Sequence, residues 1–280
     1  MHPIILETTF GGWLAQPWGL DSYSFFIILG YAVGMALAMR QMRREQENPS
    51  HIIDMGFWAL LSGLIGGRLA FILTDLSRYT GGTDQQLRFW EGGFVWYGSF
   101  FVGALTLAVY CRRVGISFAK VGDICITYMA FSAAVGRLGC FFAGCCYGKP
   151  TSGDWGVSFP VGTPAQVDQA AARLISDAEA SLPVYPTQLF ESAAQLALFV
   201  LLVYLSPRKR FHGQLLLTWL LGYSLLRLLI EVYRGDAVRG IWLWGLSTSQ
   251  WISIGAATLS ASWIAWRILT MKPSSPEAAP

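Results

Sequence analysis

The chain has 280 residues, of which 54% are hydrophobic and only 13% are Asp, Glu, Lys or Arg, and its mean hydropathy is +0.44. Soluble domains carry about a quarter of their residues as charges, so the composition excludes an ordinary water-soluble domain and predicts an integral membrane protein. The net charge of +3 is too small to point to a nucleic-acid partner.

Apolar runs long enough to span a bilayer fall near 20–39, 52–74, 94–111, 121–142, 188–206, 213–233 and 247–269. They predict an all-α fold of seven transmembrane helices in a single membrane domain over 1–270. No Lys or Arg precedes the first run and no small-residue cleavage site follows it. That run is therefore expected to stay as a span rather than leave as a signal peptide. Trp13, Trp18, Trp90, Trp96, Trp242 and Trp244 lie at the ends of runs, where an interfacial belt places them.

The connections sort the basic residues. Eleven fall on one side: Arg40, Arg43, Arg44, Arg112, Arg113, Lys120, Arg208, Lys209, Arg210, Arg267 and Lys272. Six fall on the other: Arg78, Arg88, Lys149, Arg173, Arg234 and Arg239. The richer side faces the cytoplasm, which puts the N-terminus outside and the C-terminus inside. The longest connection, 149–187, is then an extracytoplasmic arm. Ala170, Ala171, Leu174, Ile175 and Ala178 recur at helical spacing and predict a short helix within 165–180. It is either a surface helix or a guide for a substrate. The Pro/Ser/Ala-rich tail 271–280 is expected to be disordered in the cytoplasm.

Three arginines, Arg68, Arg137 and Arg227, lie inside these runs. A charge at bilayer depth costs at least ~2.5 kcal/mol and calls for a partner, a water-filled cavity or an anionic ligand. With the orientation above, all three fall in the outer halves of their spans. Tyr23, Tyr97, Gln188, Glu191 and Glu231 fall at similar depth. In the sixth run Tyr223, Arg227, Glu231 and Arg234 step by four, four and three residues, one stripe roughly 80° wide at about 100° per residue. Arg227 and Glu231 can neutralise each other across one turn. Three arginines against Glu191 and Glu231 leave room for an anion, and the planar guanidinium fork suits phosphate. The polar set is either a site for a phospholipid head group or a structural ion network.

Glycines and cysteines crowd the end of the fourth run. Gly30/Gly34 and Gly63/Gly67 have the small-xxx-small spacing of close helix packing. Gly92, Gly93 and Gly98 flank the start of the third run, where backbone can approach a ligand. Cys140, Cys145 and Cys146 cluster at the outer end of the fourth run. They can pack as small apolar residues, form a disulfide in an oxidising compartment, or act as nucleophile or lipid acceptor. A zinc site is not expected, because no histidine lies near them and the spacing is not a paired C-x-x-C arrangement.

The segment Gly136-Arg137-Leu138-Gly139-Cys140-Phe141-Phe142-Ala143-Gly144-Cys145-Cys146-Tyr147-Gly148 resembles the G-R-x-G-N-F-x-N-x-E-x-x-G signature of the prolipoprotein diacylglyceryl transferases. Gly66-Gly67-Arg68, Trp90-Glu91-Gly92-Gly93 with Tyr97-Gly98, Pro186-Thr187-Gln188-Leu189-Phe190-Glu191, and Gly222-Tyr223 with Arg227, Glu231 and Arg234 are similar to further motifs of that family in the same order. The resemblance implies seven spans with the N-terminus outside, in the bacterial inner membrane. It implies an enzyme that moves the diacylglyceryl group of phosphatidylglycerol to the lipobox cysteine thiol of a prolipoprotein, with glycerol phosphate leaving; a monomer is expected. Arg137 and Arg227 would hold the phosphate. Tyr23, Glu191, Tyr223 and Glu231 would line the head-group site, with Arg68 supporting it. Gly98, Gly139, Cys140, Cys145 and Arg234 complete the expected substrate-binding set. No cofactor or metal is implied.

Departures from the pattern concern the acceptor side. Tyr97 stands where the family has His, Cys140 and Ala143 where it has Asn, and Cys145 where it has Glu. If that His is the base for the thiol, Tyr97 is the candidate in its place, although a tyrosine ordinarily titrates near 10. The phosphate-holding pattern is kept and the acceptor-activating one is altered. Two other readings remain: the same donor with a different acceptor, and a non-catalytic lipid-binding membrane protein.

Overall fold

The computed structural model describes residues 4–8, 18–74, 95–234 and 246–271. In chain order these form β1 (Ile4–Thr8), β2 (Trp18–Asp21), α1 (Ser22–Arg44), α2 (Ser50–Thr74), α3 (Trp96–Val114), α4 (Phe118–Ala143), α5 (Pro164–Ala171), α6 (Thr187–Leu205), α7 (Gln214–Glu231) and α8 (Thr248–Thr270). The long helices follow the seven expected apolar runs. Six of them, α1, α2, α4, α6, α7 and α8, are long and apolar enough to cross a membrane. The strands pair antiparallel, a ribbon that the all-α expectation did not include.

The helices wear their apolar residues outward. Leu73, Leu259 and Leu269 are each at least 73% exposed, and the outer faces of α1, α2 and α6 carry further Ile, Leu, Phe and Val. In water such faces would be a liability. Against lipid they are the rule, because every helical backbone group is already satisfied internally.

The chain divides into two compact units, 35–124 and the combination of 1–34 with 125–280. Within the first, α2 and α3 meet at glycines. A Cβ on Gly66 would lie 2.5 Å from the Gly98 carbonyl oxygen, and one on Gly98 would lie 2.3 Å from that of Gly66. The close pair is thus Gly66/Gly98, with Gly63 looser at 3.8 Å from Ser99. Toward the other end of α2, the Tyr110 hydroxyl donates to Asp54 Oδ2 at 2.9 Å and lies 2.8 Å from His51 Nδ1. Lys120 pairs with Glu47 at 2.6 Å.

In the other unit, α1 and α4 are held close by Gly30 and Gly34. A Cβ on Gly34 would fall 2.0 Å from Ser132 Oγ, and that hydroxyl donates to the Gly30 carbonyl at 2.8 Å. Ile126, Ala130, Leu202 and Leu215 form a core where α4, α6 and α7 converge, with Phe199 and Trp219 packed on it. Trp219 Nε1 donates to Gln195 Oε1 at 3.1 Å, so the indole nitrogen is satisfied inside that layer.

The arm 149–187 is ordered. Its own small core is Phe159, Ala165 and Val184, against which Phe141 and Tyr147 pack. The helix expected within 165–180 is shorter, Pro164–Ala171. Arg173 takes φ +59°, the left-handed region, which no helix continues through. Gln166 and Gln169 are buried instead, capping the following loop through Asp177 O (3.1 Å) and Leu182 N (2.7 Å).

Candidate functional site

The site is built where α4 ends, α6 begins and α7 ends. Glu191, one turn into α6, is 1% exposed. Around it stand three guanidiniums. Arg227 Nη1 donates to Glu191 Oε1, Arg137 Nε lies 2.5 Å from Oε2, and Arg234 Nη1 donates to Oε1 at 3.2 Å. Arg227 also reaches Glu231 Oε2 at 2.6 Å through Nη2, the pairing across one helical turn that the spacing predicted. Ser247 Oγ donates to Glu231 Oε1 at 2.8 Å and at the same time caps α8. It accepts Gln250 N while Gln250 Oε1 accepts Ser247 N, a capping box.

Tyr223, Arg227 and Glu231 follow one stripe of α7, whereas Arg234, expected on the same stripe, lies past the helix end at Glu231 and is held by a bridge to Gly148. Arg227 and Arg234 are buried, at 8% and 6% exposed. Arg137 differs from them. Its side chain is 29% exposed against 10% for Arg227 and 4% for Arg234, and its nearest approach to Glu191 is through Nε. It is the member of the trio that both touches the buried carboxylate and reaches the surface of the site. Tyr223 stacks on Trp219 with centroids 5.0 Å apart and lies within electrostatic reach of Glu191, Arg227 and Arg137. Tyr23, 42% exposed at the start of α1, stands within reach of Arg137 and of Cys140, Cys145 and Cys146.

The structure pairs Arg137 with Glu191, one of the two acids the sequence set against the three arginines. Glu191, expected to line a head-group site, is enclosed and pairs with Arg137, Arg227 and Arg234. The start of α6 packs against the body of α4, where Ser192 Oγ donates to the Ala134 carbonyl at 2.8 Å. Gly139 and Gly98, expected at the substrate, are explained by helix contact. A Cβ on Gly139 would lie 3.1 Å from the Tyr23 carbonyl oxygen and from Phe26 Cβ, and Gly98 faces Gly66 and Ala70. Arg68 lies on α2 in the other unit, with its guanidinium 5.5 Å from the Phe71 ring centroid. The Trp90-Glu91-Gly92-Gly93 segment and the Tyr97 side chain lie outside the described residues.

After α4 the chain turns sharply. Gly144 takes φ +71°, its N–H bonds the Phe141 carbonyl, and Cys145 N–H bonds the Cys140 carbonyl, both at 3.2 Å. This is the Schellman termination, which needs the left-handed residue that glycine supplies. Cys146 follows at φ +60°, a strained setting for a residue with a Cβ. Two residues that the sequence analysis named without giving them this role hold it there. Thr187 Oγ1 donates to the Cys146 carbonyl at 2.9 Å and Gln188 Nε2 to the Cys145 carbonyl at 2.7 Å. Both belong to the Pro186-Thr187-Gln188 segment, and side chains at a helix start are the usual clamps for a neighbouring loop. The arm docks on the same turn through Ala165 N to the Gly144 carbonyl at 3.1 Å. Beyond it, Gly148 bridges Arg234, and a Cβ there would sit 2.6 Å from the Tyr233 carbonyl oxygen.

The turn brings three thiols together. The Sγ atoms of Cys140, Cys145 and Cys146 all lie within 4.8 Å of one another, and all three cysteines are free. Arg137 Nη1 is 4.0 Å from Cys140 Sγ. The Arg137 and Arg234 guanidiniums lie within electrostatic reach of the Cys146 thiol.

Comparison with known proteins identifies the family. A family model described as prolipoprotein diacylglyceryl transferase matches residues 13–266. The phosphatidylglycerol–prolipoprotein diacylglyceryl transferase of Clostridium tetani is 29% identical over 256 residues, covering 91% of this chain and 93% of that protein. The protein of the same name from Rhodococcus jostii is 33% identical over 233 residues, covering 81% and 65%. Phosphatidylglycerol–prolipoprotein diacylglyceryl transferase 2 of Clostridium perfringens is 30% identical over 243 residues, covering 86% and 89%. With a family match over nearly the whole chain, this protein belongs to the prolipoprotein diacylglyceryl transferase family.

Proposed function

We propose that this chain transfers the diacylglyceryl group of phosphatidylglycerol to the lipobox cysteine thiol of a prolipoprotein in the bacterial inner membrane. Seven helices span the bilayer with the N-terminus outside, α3 being the seventh. The observation that carries the reading is the partly exposed Arg137 braced from behind by buried Glu191, beside Arg227 and Arg234. The names of the relatives support the donor and the acceptor.

The chemistry asks for two things. The thiolate sulfur attacks the glyceryl carbon that bears the phosphate ester. An S–C bond forms, the C–O bond breaks, and the electron pair leaves on the phosphate oxygen of glycerol phosphate. Charge therefore grows on the phosphate as the bond breaks, and a fixed guanidinium at that point stabilises the transition state more than the ground state. Arg137 is placed to do this, and Glu191 keeps it from reorienting. Arg227 adds positive potential from inside the protein. Arg68 and Tyr97 enter this reading through their motifs alone.

The test combines phosphatidylglycerol labelled in its head group with a lipobox peptide and the purified chain in lipid nanodiscs. Release of labelled glycerol phosphate should coincide with a diacylglyceryl mass gain on the peptide cysteine. Release with no peptide modification would mean another acceptor, and neither signal from folded protein would leave only lipid binding.

A further inference from the structure

The transferase reading leaves unexplained why three cysteines, a set that cannot close into disulfides without a remainder, stand beside the phosphate-binding arginine. Their sulfurs are within 4.8 Å of one another. Three sulfurs at ~2.3 Å from a tetrahedral zinc ion are ~3.8 Å apart, so closing the set requires only small side-chain rotations. The backbone is already shaped for convergence. The left-handed turns at Gly144 and Cys146 fold Cys145 and Cys146 back over Cys140, and Thr187 and Gln188 fix the two carbonyls. Gln188 is 1% exposed and its Oε1 has no hydrogen-bond partner among the described residues, an orphaned acceptor in the amide that touches this loop. A buried polar atom without a partner asks for an explanation, and an absent ion with its ligand shell is one.

We propose that Cys140, Cys145 and Cys146 bind one zinc ion as a three-thiolate site whose fourth position receives the acceptor thiol. Several observations favour zinc with an open position over a closed structural site. Three ligands are one short of a closed tetrahedron, the pattern of catalytic zinc. Cys145 and Cys146 are only half-buried, so a fourth ligand can approach from their side. A zinc ion with three or four thiolates is an anion. Arg137 Nη1 lies 4.0 Å from Cys140 Sγ, which stabilises that charge. The spacing C-x4-C-C hides the site from a search for paired C-x-x-C motifs, and no histidine takes part.

The inference rests on the proposed thiol acceptor and supplies what that reaction lacks here, a means of ionising the thiol. A thiol that coordinates zinc is deprotonated outright, its proton passing to water. The zinc-bound sulfur then forms the S–C bond while the C–O bond breaks toward the phosphate beside Arg137. The product thioether is neutral, a weaker ligand, and dissociates. Nothing is oxidised or reduced.

The experiment titrates cobalt(II) and zinc into the purified full-length chain without lipid or peptide. We expect one cobalt per chain, with near-ultraviolet sulfur-to-cobalt charge-transfer bands and tetrahedral d–d bands, displaced by one equivalent of zinc. Cys140→Ser, Cys145→Ser and Cys146→Ser should each weaken binding at least about tenfold, whereas Cys111→Ser and Cys125→Ser should not. Adding a lipobox peptide should shift the d–d bands, and the peptide with Ser in place of Cys should not. The wild-type titration needs no variant to fold: absence of charge-transfer bands in it would overturn the site. Unchanged transfer by chain shown to be metal-free would overturn its role and leave the transferase reading standing. A formed cobalt site in a chain that transfers nothing would remove the transferase reading instead.

Discussion

Replacing Glu191 with Gln tests the central geometry, because it keeps the side-chain shape and removes one charge. In the folded chain this carboxylate is 1% exposed and engages Arg137 at 2.5 Å, Arg234 at 3.2 Å and Arg227. Removing the charge leaves buried guanidiniums sharing Glu231 as the remaining acid of the group. Breaking a buried pair in this way costs about 3–5 kcal/mol, and the surviving amide oxygen still accepts one bond, so the low end applies, ~3 kcal/mol. That is roughly a 150-fold shift in the folded-to-unfolded ratio, and a lowering of Tm of roughly 6–12 °C on the scale of soluble domains. Thermal unfolding followed by tryptophan fluorescence in detergent reads the stability, and head-group release reads the activity. Turnover should also fall, because Arg137 loses its brace. A double-mutant cycle with Arg137→Gln should be strongly non-additive. A Glu191→Gln chain with the parent Tm and the parent turnover would refute the claim that Glu191 positions the arginines.

Arg137→Ala should reduce transfer by at least ~100-fold, the scale of losing one donor to a developing oxyanion, while the chain still inserts and unfolds near the parent temperature. Arg137→Lys should recover little, since a point charge does not replace the fork, whereas Arg234→Lys should lower Tm more than Arg137→Lys does. Gly34→Ala should cost about 1–3 kcal/mol, because its Cβ would fall 2.0 Å from Ser132 Oγ, and Ser132→Ala in the same chain should restore Tm in the unfolding assay. Tyr97→His separates two accounts of thiol activation by transfer rate: a clear gain would mean a missing base limits the chain, and no gain is expected if zinc ionises the acceptor.

Much of the protein was legible in the chain because membrane helices are specified locally. A run of apolar residues near 20 long satisfies its own backbone in lipid wherever it lies, so the long helices fall where hydropathy placed them. The one-sided stripe Tyr223, Arg227 and Glu231 was readable for the same reason, since helix periodicity alone puts these residues on one face, whereas Arg234 lies beyond the helix end and is placed by its bridge to Gly148. The capping box Ser247-Thr248-Ser249-Gln250 was equally open to reading as a local signal, yet its link to Glu231 was not. What tertiary structure decided are the contacts between residues far apart in sequence. It buried Glu191 and set Arg137, Arg227 and Arg234 around it. It also assigned Gly98 and Gly139 to helix contacts and cut the arm helix at Ala171. The thiol cluster belongs to this second class. Cys140 stands on a helix and Cys145 and Cys146 on the loop beyond it, and sequence spacing does not say whether three sulfurs meet. A left-handed turn at Gly144 and Cys146, fixed by side chains more than forty residues away, brings them together.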